Sequence, residues 1–574
     1  MAAAGRSTKA GRVPGFAHLA LLLALLVLVV SIALRASSTQ PPAVAEFAPQ
    51  AREQIKQAPA EQSGLFGNGA GGEFFSPPPS PSPLPSQLAA LLASPTPEVE
   101  RGKVRNCIGD PPRQIEDPQS PPCVPYFQGP NGGATSKLGV TGDEVRVVVP
   151  SAGTDGHGLQ QIAALQNFFN KRFQFYGRQL HLFSACGADD SPTGQRAAAV
   201  CAATDPTVHG SAFASTDQGA EAGNQYYPAL AKQGVIGVTN VPQYDDAFLQ
   251  SNRPYIWQYP PAANQVMTSL GQWSCARLLG PATHTSDPLL RGKPRKLGVV
   301  FQTIFAGSNL NPDPYLNQLK TCGIQVDPND VFQFPYADSS GTAGQQPTNS
   351  SNAILRFNQD HVTTVACLCV AFDDGQLFTQ ADNQQYHPEW VVSSYLYNDI
   401  QYFLTLTNSK SHATQMADTY GLRFYPKSVD WANNPTQWAT TEGDPSFPPP
   451  TSPGALFVDN DVYHTLLLIA SGIQMAGPNL NPQTFEHGLQ TTVFPNPDTP
   501  PIFQGHVGFN GPYGPDHSMI KDAAEIWWSN TDAGGAYCYV AHGARHPVGS
   551  PWEKGDSQDF APNPCDSAAG ASSE

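Results

Sequence analysis

Between Gly142 and Asn240 the chain alternates between two hydrophobic periods. Glu144–Val149 is a short β-branched run that ends at the Gly-rich turn Ser151–Gly158. Leu159, Ile162, Leu165, Phe168, Phe169, Phe173 and Tyr176 then recur three or four residues apart. That spacing predicts a buried strand feeding a helix with one apolar face. The pattern repeats: a strand at 180–183 and a helix at 196–203, a strand at 208–215 and a helix at 226–231, then a strand at 235–239. Strands alternating with helical crossovers imply a parallel sheet, whose ligands lie beyond the carboxyl ends of the strands.

A second alternating series follows. Helices are expected at 264–279, 314–321, 352–359 and 376–385, and strands at 296–304, 331–336, 362–372 and 390–395. The run 362–372 is almost wholly apolar, as in a strand buried on both faces. Two series of similar size predict two lobes of equivalent architecture. Beyond Asn398 the chain is richer in helix and loop. Val462, Leu466, Ile469 and Ile473 mark a helix at 459–475, and Ile520–Trp528 reads as a last strand.

The flanks have other patterns. Arg6, Lys9 and Arg12 precede an uncharged run from Phe16 to Leu34. Its roughly 19 residues, at about 1.5 Å each, nearly match a bilayer core. Residues 1–35 are therefore either a membrane anchor or a signal peptide, with Ser31–Ala33 as the cleavage site in the second case. Both alternatives place the rest outside the cytoplasm. Residues 36–140 read as a Pro/Gly-rich linker, and 531–574 as a polar tail stapled by cysteine.

Composition narrows the function. Of 574 residues 40% are hydrophobic and 14% charged, with 56 Pro, 51 Gly and a formal charge of −16. That charge argues against nucleic acid as a partner, since phosphate neutralisation needs cations. Ten cysteines suit an exported, disulfide-bonded protein. Cys107 with Cys123, Cys186 with Cys201, and Cys538 with Cys565 are the expected pairs. Cys367 and Cys369 share a strand face and are not expected to bridge each other. Cys275 and Cys322 pair together or with one of those two. Cys538, His542 and His546 lie close in sequence, but in a Gly-rich stretch without metal-site spacing. No phosphate-binding loop, nucleophile elbow or zinc-protease motif occurs. No enzyme, metal or cofactor is expected.

The run Val145–Pro150, the Gly158 turn before a long first helix, the placement of Cys186 and Cys201, and the closing stretch Gly508–His517 with Glu525–Trp528 carry a resemblance. Over about residues 141–530 the chain resembles the type I periplasmic-binding fold, in the leucine/isoleucine/valine-binding-protein group of ABC transporters, in its divergent actinobacterial form. The resemblance implies two Rossmann-like lobes, each a parallel sheet flanked by helices, hinged by three crossings. Lobe one would take about 141–261 and 398–515, and lobe two about 262–397 and 516–530. It also implies a small polar solute in the interlobe cleft, an ABC permease with a separate ATPase as partner, and an extracytoplasmic location on the membrane. The alternative is a membrane-tethered ligand-sensing or partner-binding ectodomain with no transport role.

The expected ligand contacts lie just past strand ends. They are Ser215, Thr216, Asn240 and Tyr244 in lobe one, and Gln302, Phe305, Asp373 and Tyr395 in lobe two. The same residue types suit turns, caps and packing. By the resemblance an amino-acid clamp needs a Ser where this chain has Ala214, which speaks against an α-amino-acid ligand.

Overall fold

The computed structural model describes residues 107–108, 113–114, 117–150, 156–187, 191–204, 210–216, 223–303, 308–335, 345–406, 409–427, 431, 434–496, 505–531 and 535–555. The apolar run 16–34, most of the linker and Cys565 lie outside these residues. No helix among the described residues is long and apolar enough to cross a membrane.

The first sheet grows from the expected alternation. After the small antiparallel pair β1 (Cys107–Ile108) and β2 (Arg113–Gln114) come β3 (Glu144–Val148), α1 (Gly156–Arg172), β4 (Gln179–Phe183), α2 (Pro192–Thr204), β5 (Ala214–Ser215), α3 (Gly223–Gln233), β6 (Ile236–Thr239), α4 (Asp246–Ser251) and β7 (Ile256–Gln258). The five strands β3 to β7 are parallel, in the order β4-β3-β5-β6-β7. Val145, Val147 and Val148 are fully buried, and α1 lays Ile162, Leu165, Phe168 and Phe169 on the sheet. Each such side chain contributes about 1.5–3 kcal/mol by leaving water.

The second sheet repeats the plan. Its elements are α5 (Ala263–Arg277), β8 (Leu297–Gln302), α6 (Asp313–Thr321), β9 (Val331–Phe334), α7 (Gln346–Gln359), β10 (Thr364–Leu368), α8 (Ala371–Asn383), β11 (Glu389–Val392), α9 (Gln401–Leu406), α10 (Ala413–Ala417) and β12 (Thr419–Arg423). The parallel order β9-β8-β10-β11-β12 is the order of the first sheet. β15 (Asp522–Ser529) joins it antiparallel to β12, and β16 (Ala536–Tyr539) and β17 (Arg545–Pro547) pair with β15. Gly421 admits β11 so closely that a Cβ there would run into the Val392 carbonyl.

Between β12 and β15 lie α11 (Pro435–Gly443), α12 (Pro453–Ala476), α13 (Pro482–Thr491) and the small pair β13 (Asn510–Gly511) and β14 (Gly514–Pro515). Ser452 caps α12 and Pro453 opens it, while Asn481 and Thr484 form a capping box on α13. α12 rests on lobe one, where Tyr463 stacks on Phe169 of α1 at 6.2 Å. The chain recrosses at 518–522: Ser518 bridges to Gln258, the last residue of β7, and β15 then enters the second sheet.

Several expectations change. β7 and β12, the fifth strand of each sheet, fall where the hydrophobic pattern predicts no strand. β12 belongs with lobe two, so the return to lobe one falls after Arg423 rather than at Asn398. The run 362–372 is a strand only over Thr364–Leu368, and α8 then begins at Ala371. The tail is not merely polar, because Ala536 and Tyr537 are fully buried in the sheet. Nor is all of 36–140 a linker. Gln114, Asp117 and Gln119 are buried, bonded respectively to Gln474, Tyr463 and Tyr259.

Cys107–Cys123, Cys186–Cys201 and Cys275–Cys322 are disulfides. Cys538 is disulfide-bonded as well. Cys367 and Cys369 are bonded to each other, against expectation. Cys369 lies in a bend past the end of β10, which brings the two Cα atoms to 5.1 Å, within disulfide reach.

Candidate functional site

Both sheets have a reversal of strand order beside their first strand. In lobe one it lies between β3 and β5, and in lobe two between β8 and β10. Doubly wound sheets bind ligands at the carboxyl ends of such strands.

In lobe one Ser215 and Thr216 end β5. Ser215 Oγ sits 2.8 Å from the Tyr226 hydroxyl of α3, so that side chain is engaged inside the lobe. Thr216 is 1% exposed, and its Oγ1 has no hydrogen-bond partner. After β6, Thr239 Oγ1 accepts from Val241 N and Gln243 Nε2. The Asn240 carbonyl accepts from the Tyr425 hydroxyl at 2.6 Å. Tyr244 is buried in the outer core of the lobe, stacked on Phe248 at 4.2 Å.

In lobe two Gln302 and Tyr395 come together. The Gln302 carbonyl accepts from Tyr395 Oη at 3.1 Å, and its Oε1 accepts from Val370 N at 2.9 Å. Tyr395 packs on Phe301, and burial holds its phenol well above the usual range. Phe305 and the side chain of Asp373 lie outside the described residues, although the Asp373 backbone is in α8.

Three features were not read from the sequence. The first is Tyr425, which follows the unexpected β12 and reaches from lobe two to lobe one. Arg545 holds it in place, donating to the carbonyls of Tyr425 and Phe424 while paired with Asp522. The second is Asn398. It is fully buried, and its Nδ2 donates to the Cys367 carbonyl near the end of β10 at 3.3 Å. That bond to a carbonyl fixes the amide orientation, and Oδ1 is left without a partner. The third is His157, in the first turn of α1. Its Nε2 is 3.0 Å from both carboxylate oxygens of Asp459 on α12, and its ring is 5.0 Å from Phe447. Asp459 thereby brings a carboxylate to the start of α1 from within the chain.

An aromatic seam also joins the lobes. Tyr397 lies 4.8 Å from Phe403, 5.8 Å from Tyr425 and 5.5 Å from Phe457 of α12. No cluster of side chains suited to a metal ion occurs among the described residues.

Two sheets of one shared order, linked by three crossings, form the type I periplasmic-binding fold. The chain is similar to several solved structures. One is a solute-binding protein of an ABC transporter from Rhodopseudomonas palustris in complex with p-hydroxybenzoic acid: 10% identity, 71% of this chain and 99% of that one, TM-score 0.47. Another is a fatty acid ABC transporter substrate-binding protein from Thermomonospora curvata: 14%, 73% and 95%, TM-score 0.46. A third is a branched-chain amino acid ABC transporter from Thermus thermophilus with bound valine: 13%, 73% and 97%, TM-score 0.44. At these scores the likeness carries no weight of its own, and the strand order assigns the fold. No family model and no curated protein matches the chain.

Proposed function

We propose that the chain is an extracytoplasmic solute-binding protein. It captures a small polar solute between the lobes and presents it to an ABC permease with a separate ATPase. The observation that carries this reading is the matched pair of strand-order reversals, one per lobe, with the lobes joined at Tyr425 and Asn240. A ligand touching both lobes gains contacts only on closure and so shifts the population toward the closed state. Of the expected contacts, Thr216 and Asn240 remain the ones best placed for a ligand. In this reading the apolar run at 16–34 tethers the protein to the membrane and the chain performs no turnover.

The test is a thermal-shift screen of the purified full chain against amino acids, amines, sugars, short peptides and small carboxylates. A solute at about a hundred times its dissociation constant adds roughly 2.7 kcal/mol, a visible shift. A flat response across the panel overturns the proposal. The second reading, an ectodomain that binds a partner instead of a solute, is favoured by the aromatic seam at Tyr397 and Phe457, in which side chains of the two lobes pack directly on each other.

A further inference from the structure

Resting on that reading for the site it controls, we propose that Cys367 and Cys369 form a redox switch. A dithiol reductant opens their bridge and so loosens the lobe-two edge of the cleft. Cys367 lies in β10, one of the strands beside the reversal of order, and Cys369 follows the last residue of that strand. Val370 then caps α8. Both cysteines are fully buried. Two side chains of the edge hold this bend. Gln302 Oε1 accepts from Val370 N at 2.9 Å. Asn398 Nδ2 donates to the Cys367 carbonyl at 3.3 Å and lies 3.8 Å from Cys369 Sγ. Asn398 follows Tyr397, which packs on Phe403, Tyr425 and Phe457 in the seam between the lobes.

A structural staple belongs elsewhere. A bridge stabilises a fold largely through the loop it closes, and the gain grows with loop length. Cys107–Cys123, Cys186–Cys201 and Cys275–Cys322 span 16, 15 and 47 residues, whereas Cys367–Cys369 spans 2. Nor does β10 need a staple, since parallel partners hold it on both sides, β8 over Thr364–Leu368 and β11 over Thr364–Ala366. A bridge that adds little to the fold is held oxidised by the fold only weakly.

Position also sets the direction of exchange. Cys369 stands just ahead of the first turn of α8, whose backbone N–H groups and dipole favour a thiolate, so Cys369 is the better leaving sulfur. A thiolate of the reductant attacks Cys367 Sγ. The new S–S bond forms as the Cys367–Cys369 bond breaks, and Cys369 leaves as a thiolate. The second thiolate of the reductant then attacks the reductant's own sulfur in the mixed disulfide and releases Cys367. Two electrons pass to the pair, each cysteine takes a proton from water, and the reductant departs as a disulfide. Since both cysteines are buried, exchange proceeds from a locally opened form. Two thiols cannot keep the separation of a bond, so the bend widens and displaces Asn398 and Tyr397.

The test equilibrates the full chain in buffers of reduced and oxidised dithiothreitol, traps thiols with iodoacetamide and maps them by mass spectrometry. The Cys367–Cys369 pair is expected to be half reduced at a dithiol-to-disulfide ratio at least about tenfold lower than the three longer bridges need, and to reoxidise when the ratio is restored. At that ratio hydrogen exchange of the amides at 395–404 is expected to quicken at least about tenfold, while β3 keeps its protection. Cys367→Ala with Cys369→Ala should show the fast exchange at 395–404 with or without reductant; should that variant fail to fold, the exchange of the parent decides. A pair reduced only together with the other bridges overturns the proposal. So does unchanged exchange at 395–404. Loss of protection in β3 as well overturns it too, because it marks the bridge as a plain staple. Every readout is taken without solute. Their failure leaves the proposed function standing, and a flat solute screen removes that function while the chemistry at Cys367 and Cys369 is still decided here.

Discussion

The Tyr425 hydroxyl of one lobe donates to the Asn240 carbonyl of the other across 2.6 Å, inside the buried seam. Removing that hydroxyl leaves the carbonyl without this donor and costs about 1 kcal/mol. Tyr425→Phe is expected to lower the melting temperature by a few degrees and to raise the ligand-free radius of gyration in small-angle scattering. An unchanged radius would show that the seam is held by its aromatic rings alone.

Asp117 is buried, accepting from Gln119 N and from the Tyr463 hydroxyl, with no basic side chain in reach among the described residues. Burial outweighs those hydrogen bonds and raises its pKa to about 6. The fold therefore binds this proton more tightly than the unfolded chain does. The resulting stability is complete below about pH 4 and is lost as pH rises through about 6. Asp117→Asn should then melt higher than the parent at about pH 7.5, by the equivalent of roughly 3 kcal/mol, with the difference closing near about pH 4. Melting curves across that range provide the check.

Glu486 on α13 has the opposite sign. Burial works against its ionisation, but hydrogen bonds from His517 and Arg253 prevail and hold it down to about 2. Its stabilisation is present above about pH 4.5 and lost as pH falls toward about 2. Glu486→Gln is expected to lower the melting temperature at neutral pH and to match the parent in strong acid.

Gly421→Ala tests the packing of β11 on β12. The new methyl has no space beside the Val392 carbonyl, and the strands must separate or the chain must shift. Overpacking of this kind costs about 1–3 kcal/mol or more. The expected result is a low soluble yield or a melting temperature reduced by several degrees, with Gly421→Ser no better.

Most of the order of elements was legible from hydrophobic period alone, because α1, β10 and α12 have long or strongly patterned runs. The fifth strands escaped for a physical reason. β7 is only Ile256–Gln258, lying between Pro254 and Pro260, and β12 carries Gly421 and Arg423, so neither shows clean alternation. Both are strands because a sheet edge was waiting for them. The site was less legible for a related reason. Ser215, Gln302 and Tyr395 do stand at strand ends, but their side chains bond within their own lobes. Asn398 and Tyr425 have no motif and are placed only by tertiary contacts.

The segment from Gln114 to Gln119 is pinned by Gln474, Tyr463, Tyr259 and Gly505, every one of them on lobe one or beside it. Under the proposed membrane tether, a pull arriving through this segment would therefore reach lobe one first. In the proposed function lobe one is then the stator and lobe two the rotor. A probe fixed to the support through the N-terminus would record opening almost wholly as travel of the sheet that carries Asn398.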